Sequence, residues 1–207
     1  MAAHTNVDTS SNMPGHLETA TLDGKNKVLG FWLFLGAETV LFACLFGTFL
    51  ALRNQTMGGP TGQELFDLRL VAVATVILLT SSLTSVLAMH AMNQLKKGAM
   101  QFWLGVTVLL GLAFLVLEIY EFIHYVHEGH TFMSSAFGSS FYALVGTHGA
   151  HVTFGIVWIS TLMLQAARRG INTETAPKLF VSSLYWHFID VVWVFIFSLV
   201  YLLGKVG

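Results

Sequence analysis

The sequence has little charge, little proline and a single cysteine. Charged residues make up 10% of its 207 residues and hydrophobic residues 55%, and the mean hydropathy is +0.69. A soluble domain of this length needs more charged surface, so the composition indicates an integral membrane protein. The formal net charge of -1 excludes the basic excess that is typical of nucleic-acid-binding proteins.

The scarcity of cysteine excludes several kinds of site. Cys44 has no partner for an intrachain disulfide, and the chain lacks the CxxC and CxxCH patterns of zinc ribbons, thioredoxin-type sites and covalently attached haem. We interpret residues 1–27 as a polar, mobile N-terminal arm, because they lack the apolar core of a cleaved secretion signal. The three prolines, Pro14, Pro60 and Pro177, are expected to lie outside the helices.

What the sequence does have is long apolar runs. A helix needs about 20 apolar residues to cross the hydrocarbon core, and five segments meet this length between polar breaks. We therefore predict an all-α, polytopic membrane protein in which residues 28–207 form one bundle of five transmembrane helices. The predicted spans are 28–52, 68–92, 101–125, 136–166 and 180–204.

Lysine and arginine are distributed unequally between the two ends of these spans. Positive charge next to a helix end favours the cytoplasmic side. One end has Lys25, Lys27, Lys96, Lys97, Arg168, Arg169 and Lys178, whereas the other has Arg53, Arg69 and Lys205. This asymmetry predicts a cytoplasmic N-terminus and an outer C-terminus.

Ionisable side chains inside the spans are costly in lipid, so they should face the bundle, a partner or water. One interpretation is a metal centre, because histidines and carboxylates on facing helices build di-iron sites. The other is hydrogen bonding between helices, and the different depths of the residues favour it. The candidates are Glu38, Glu118, Glu121, His124, His148, His151, His187 and Asp190.

Glu38 stands apart, because it lies near mid-membrane without a basic residue in its own span. Its carboxyl must be protonated or contacted by another helix or subunit. Proton relay, lipid contact and simple helix pairing all remain open for it. Elsewhere, we interpret Tyr201 as an interfacial anchor, and Gly146 and Ala150 as a strip for close helix packing.

Four motifs carry a resemblance to a known family. They are GFWLFLGAETVLF at 30–42, LEIYEF at 117–122, GTHGAHVTFG at 146–155 and LYWHFIDVVWVFIF at 184–197. From about residue 22 to 207 the chain resembles subunit III of the haem-copper terminal oxidases. In detail it looks most like the cytochrome c oxidases of Bacillus-like bacteria, whose subunit II carries a fused cytochrome c domain.

The resemblance implies a subunit of an aerobic respiratory enzyme that reduces oxygen to water and pumps protons across the bacterial cell membrane. This subunit would hold no metal or redox centre, and the haems and copper would belong to partner subunits. It would pack directly on subunit I, stabilise it and support its proton uptake. Subunit II, other oxidase subunits and membrane lipids are the further partners, and nucleic acid is not expected.

The resemblance also implies roles for individual residues. The acidic residue at the position of Glu38 is associated in the family with sustained proton uptake and with bound lipid. The other candidates match a buried polar network, and Ile119 replaces an aromatic residue between the two glutamates of the third span. Seven-helix members hold phospholipid in a cleft beside two additional N-terminal helices, which have no counterpart here, so a lipid site between subunits is the corresponding expectation.

Two alternatives remain at the level of sequence. Subunit III of a quinol oxidase shares the motifs, because other subunits determine the electron donor. A stand-alone membrane di-metal enzyme built from the histidines and glutamates is the alternative of another class. A proton-coupled transporter is disfavoured, because the chain has an odd number of spans and no internal repeat.

Overall fold

The computed structural model describes residues 17–56, 68–127, 132–133 and 135–206, and this part of the chain contains helices and no strands. Each of its five long helices is long and apolar enough to cross a membrane, which confirms the predicted all-α fold with five spans. The helices are α1 Leu22–Leu52, α2 Leu68–Asn93, α3 Lys97–His127, α4 Ala136–Arg169 and α5 Thr175–Ile196. The chain of α5 continues as a π-helical segment, Phe197–Leu202, and a last α-helical turn, Leu203–Val206.

The first helix begins at Leu22, within the segment predicted as a mobile arm. Thr21 has an extended backbone, and its hydroxyl accepts a hydrogen bond from the Gly24 amide at 3.0 Å. This is the usual N-cap arrangement, which satisfies an amide that the first turn leaves free. A short 3-10 helix, Leu17–Thr19, precedes it, and residues 1–16 of the predicted arm lie outside the described residues.

The last long helix also begins earlier than predicted, so Pro177 lies in its first turn and not in the preceding loop. Proline is tolerated there because first-turn amides have no partner within the helix. The Asn172 side chain stabilises the start of this helix by accepting hydrogen bonds from the amides of Glu174 and Thr175, at 3.0 and 2.9 Å. Pro14 and Pro60 are not among the described residues.

Helix α5 is central to the bundle. It packs on α1, α2 and α4, while α2 and α3 form a closely packed antiparallel pair. Helix α1 is peripheral and buries Leu35, Phe42 and Phe49, each seven residues apart, along one narrow stripe. The rest of its surface, which is largely apolar, is not covered by the residues that the structure describes.

The close helix contacts are made at glycines other than the predicted one. A Cβ at Gly111 would lie 2.7 Å from Cη2 of Trp186, and one at Gly155 would lie 3.0 Å from Cζ3 of the same ring. These two glycines therefore form a slot for the fully buried Trp186 indole. Gly146 has no neighbour within 4 Å of its Cβ position among the described residues, so it makes no close helix contact in this part of the chain.

Candidate functional site

One polar contact of the bundle joins α1 to α4. Nε2 of His151 lies 3.1 Å from Oε2 of Glu38, and the two side chains are 19% and 15% exposed. The structure thus provides one partner for the carboxyl that had none in its own span. This partner is a histidine of the GTHGAH motif.

The hydrogen bond of the other ring nitrogen of His151 shows how many protons the contact with Glu38 holds. Nδ1 of His151 lies 2.8 Å from the Thr147 carbonyl oxygen, which can only accept a hydrogen bond, so Nδ1 carries a proton. The contact with Glu38 therefore holds one further proton, either on Nε2 facing a carboxylate or on the carboxyl facing a neutral ring. In both forms the pair is electrically neutral, which reduces its cost within the membrane.

Aromatic rings enclose the pair on the protein side. The Phe42 ring centroid lies 5.2 Å from that of His151, and the Tyr185 hydroxyl donates to the His151 carbonyl at 3.2 Å. On the open side a pocket of about 220 Å³ exposes His151. The pocket is lined by Phe34, Ala150, His151, Phe154 and Tyr185.

A second groove meets this pocket at Phe34 and runs toward the N-terminal end of α1. It has a volume of about 300 Å³, and Lys27 and Lys178 are among its lining residues. Lys27 also forms an ion pair with Asp23, one turn away and exposed. The remaining lining is mostly apolar and includes Phe31, Trp158, Leu162 and Val181.

Glu121 is the centre of a second polar cluster, between α3 and the end of α5. Its carboxylate accepts hydrogen bonds from the hydroxyls of Tyr125 and, at 3.2 Å, Tyr201. Tyr201 is fully buried and belongs to the π-helical segment, so its interpretation as an interfacial anchor is wrong. π-Helical turns often occur where a side chain must be directed to a particular site, and here the side chain is this tyrosine.

Glu118 and His148 are buried without hydrogen-bond partners among the described residues. Glu118 is 5% exposed and His148 is 0% exposed, and neither carboxyl oxygen and neither ring nitrogen is bonded. Gly149 makes room for the carboxyl, because a Cβ there would lie 2.9 Å from both oxygens of Glu118. The rings of Phe114 and Trp193 flank His148, at centroid distances of 5.9 and 5.1 Å.

His187 bonds to serines and not to Asp190. Its Nδ1 lies 2.6 Å from the Ser82 hydroxyl of α2, and its Nε2 lies 3.4 Å from the Ser183 hydroxyl. Asp190 is buried beside Ser82, yet neither of its oxygens makes a hydrogen bond of good geometry within the described part of the chain. His187 and Asp190 are therefore not hydrogen-bonded to each other in the described part of the chain.

The structure separates the eight predicted residues into distinct sites. His124 lies on the exposed face of α3, one turn after Glu121, and its ring contacts Tyr125. Among the residues that the structure describes, no three His, Cys, Asp or Glu side chains are grouped as metal ligands would be. Glu38 with His151 is the arrangement best suited to hold and exchange a proton, because a carboxyl and an imidazole face each other at 3.1 Å and a pocket reaches His151.

Sequence reasoning missed the hydroxyl and indole groups that form hydrogen bonds between the helices. Trp186 and Trp193 donate their indole N–H groups to Ser81 and Thr75 of α2, at 2.9 and 3.0 Å. The run TSSLTS at 80–85, unusually polar for the middle of an apolar span, was the available signal for this helix interface. Tyr125, one turn after Glu121, was the comparable signal for the carboxylate cluster.

Comparison with known proteins assigns this bundle to a family. The family model for cytochrome c oxidase subunit III matches residues 2–205. The chain belongs to the cytochrome c oxidase subunit III family. It is 66% identical over 200 residues to the cytochrome c oxidase subunit 3 of Bacillus subtilis (strain 168), covering 96% of this chain and 97% of that protein.

Two further relatives place the chain within the subunit III family. It is 65% identical over 188 residues to cytochrome c oxidase subunit 3 of Bacillus sp. (strain PS3), covering 91% of each chain. It is 50% identical over 198 residues to quinol oxidase subunit 3 of Bacillus subtilis (strain 168), covering 96% of each chain. These matches confirm the resemblance drawn from the four motifs and make the chain a membrane-spanning subunit of an oxidoreductase complex.

Proposed function

We propose that this chain is the non-catalytic subunit III of a proton-pumping cytochrome c oxidase in a bacterial cell membrane. The observation that carries the proposal is its identity of 65 to 66% with two cytochrome c oxidase subunits over nearly their whole length, against 50% with a quinol oxidase subunit. The haems and copper belong to partner subunits.

The direct partner is subunit I, and α1 is suited to contribute to that contact. Its buried stripe is narrow, and large apolar side chains such as Leu29, Leu33 and Val40 are exposed along the rest of the helix. The surface suits either a helix of a neighbouring subunit or lipid. By this contact the chain stabilises subunit I.

The Glu38–His151 pair supports proton uptake by subunit I. The pair keeps one proton between its two groups and is neutral with that proton in place, so a proton is available near mid-membrane without a buried net charge. The pocket at His151 offers a route for exchange with water or with the neighbouring subunit. A proton reserve of this kind favours sustained turnover and is not required for a single turnover.

The groove at Lys27 and Lys178 accommodates an anionic phospholipid. Two ammonium groups stand beside an apolar groove at the membrane surface, a combination that suits a phosphate headgroup above an acyl chain. The groove and the pocket share Phe34, so an acyl chain would extend toward His151. Lipid there would limit the access of bulk water to the proton-sharing pair.

Purification on a tag attached to this chain tests the assignment. In mild detergent, we expect co-purified subunits I and II, a haem spectrum and oxygen consumption with reduced cytochrome c. Oxygen consumption with a quinol and not with cytochrome c would make the chain a quinol oxidase subunit. Purification without haem would refute its membership of an oxidase complex.

Substitution of the pair tests its role. Glu38→Gln and His151→Asn should leave haem content and initial oxygen consumption near the wild-type level, while activity decays faster over many turnovers. Glu174→Gln, a change at an exposed carboxyl outside the bundle, is the matched control. Wild-type decay in both pair variants would remove the proposed role in proton uptake.

A further inference from the structure

The bundle contains a second histidine and a second carboxyl, His148 and Glu118, that are both buried between α3 and α4. Both oxygens of Glu118 and both ring nitrogens of His148 are buried without hydrogen-bond partners among the described residues. A buried polar group without a partner is costly, so groups of this kind in native proteins are normally bonded to protein or to ordered water. The four unbonded atoms of Glu118 and His148 therefore require a hydrogen-bond partner in this region.

The two side chains occupy neighbouring positions. Phe114 and Glu118 are four residues apart and share one face of α3, and the Phe114 ring contacts His148 at a centroid distance of 5.9 Å. The Glu118 carboxyl faces Gly149, the residue after His148. Both groups consequently lie in the same interface between α3 and α4.

No positively charged side chain from the neighbouring stretches of α3, α4 and α5 is available to offset a negative charge on Glu118. No lysine or arginine occurs within residues 98–127, 136–167 or 179–204, and the lysines and arginines of α3, α4 and α5 lie only at one end of each helix, at Lys97, Arg168, Arg169 and Lys178. The nearby titratable groups are Glu121 and Tyr125 on α3, Tyr142 and His151 on α4, and Tyr201 in the π-helical segment after α5. Since Glu121 already accepts two tyrosine hydroxyls as a carboxylate, a second negative charge one turn away would be strongly disfavoured.

The chemistry of the two groups is complementary. A carboxylic acid has one O–H to donate, and a neutral imidazole has one nitrogen that accepts and one that donates. The Trp193 indole next to His148 cannot serve as the hydrogen-bond donor to the histidine, because its N–H is donated to Thr75. Since neither ring nitrogen bonds a carboxyl oxygen directly, the link requires an ordered water.

We propose that Glu118 and His148 form a second proton-sharing pair, in which Glu118 is a carboxylic acid linked to His148 through an ordered water in the α3–α4 interface. His148 and His151 are three residues apart on α4, and each then belongs to one pair. The two pairs together place exchangeable protons across the bundle from α1 to α3. The proposal concerns side chains within this chain and does not depend on the electron donor of the complex.

Infrared spectroscopy of the purified complex tests the pair. The wild-type complex should show a protonated-carboxyl C=O band that shifts in deuterated water and is absent in Glu118→Gln. In His148→Asn the same band should persist at a changed frequency. Asp190→Asn is the matched control, because it removes a buried carboxyl in a different interface and should leave the Glu118 band in place.

Two results would overturn the proposal: no carboxyl band lost in Glu118→Gln, or an unchanged frequency in a His148→Asn complex with normal haem content. A second measurement uses only the wild-type complex and so does not depend on the folding of a variant. A high-resolution cryo-EM map should show water density within hydrogen-bond distance of both the Glu118 carboxyl and the His148 ring. A map that resolves ordered water elsewhere in the bundle but none between these two groups would refute the link.

Discussion

Two glycines of α3 have opposite surroundings. A Cβ at Gly111 would meet the Trp186 ring at 2.7 Å and Ile156 at 3.2 Å, whereas one at Gly105 would meet nothing within 4 Å. The indole is fully buried and cannot move aside without disturbing its hydrogen bond to Ser81. We predict that Gly111→Ala destabilises the bundle by about 1–3 kcal/mol through overpacking.

Thermal unfolding of the purified complex measures this effect. Gly111→Ala should lower the melting temperature of this subunit, and Gly105→Ala should leave it unchanged or raise it slightly, because alanine favours helix more than glycine does. Equal melting temperatures for the two variants would show that the Trp186 slot adapts to the added methyl group.

The hydroxyl of Tyr201 is a second feature at the residue scale. It donates to Glu121 within the bundle, and loss of a hydrogen bond to a charged group costs about 1.5–3 kcal/mol. We therefore expect Tyr201→Phe to lower the melting temperature of the subunit. Tyr120→Phe is the matched control, since Tyr120 lies on the exposed face of α3. A loss of stability in Tyr120→Phe as large as that in Tyr201→Phe would contradict a specific role for the Glu121 bond.

Sequence reasoning at the residue scale identified polar groups within the spans, but not their partners. Glu38 was singled out because its own span has no basic residue, but its bond to His151 depends on how α1 is rotated against α4, which hydropathy does not determine. Tyr201 was misjudged because its position near a helix end ordinarily indicates the interface. The π-helical turn that directs it inward leaves no sequence signal that we can identify.

At the scale of helices, the interface between α2 and α5 is unusually polar. Indole N–H groups and serine and threonine hydroxyls bond across it, including Trp186 to Ser81 and Ser85 to Ser183, the latter at 2.8 Å. Hydrogen bonds replace the hydrophobic effect as a source of helix specificity in lipid, since lipid is as apolar as the side chains. The predicted hydropathy pattern located both helices but could not reveal which faces meet.

A double-mutant cycle tests this interface. Ser81→Ala leaves the Trp186 N–H without its acceptor, so its cost should be smaller in a Trp186→Phe background, where no N–H remains. We expect the two changes to be non-additive by about 0.5–3 kcal/mol in unfolding experiments. Thr80→Ala provides the control, because the Thr80 hydroxyl bonds only the Val76 carbonyl of its own helix and should combine additively with Trp186→Phe. Additive costs for Ser81→Ala and Trp186→Phe would show that this hydrogen bond contributes no measurable stability.

At the scale of the whole molecule, the five helices alternate in direction and collect positive charge at one end. The α2–α3 turn, the end of α4 and the start of α5 contribute Lys96, Arg169 and Lys178 to this end, while Arg53 follows α1 at the opposite end. The count of spans and the family followed from apolar length and four motifs. Helix starts were less predictable, because capping by Thr21 and the tolerance of Pro177 in a first turn depend on local hydrogen bonds.

The charge asymmetry leads to a prediction about topology. Lys96 and Arg53 are both exposed and lie at opposite ends of the bundle, so a cysteine at either position reports on one side of the membrane. The background should be Cys44→Ser, because the native cysteine is also exposed. In intact protoplasts, a membrane-impermeant maleimide should label the Arg53→Cys variant and not the Lys96→Cys variant, since the distribution of positive charge predicts a cytoplasmic location for the lysine-rich end. Permeabilised protoplasts should give labelling of both variants. Selective labelling of Lys96→Cys in intact protoplasts would reverse the predicted orientation. The groove at Lys27 and Lys178 would then lie on the outer surface.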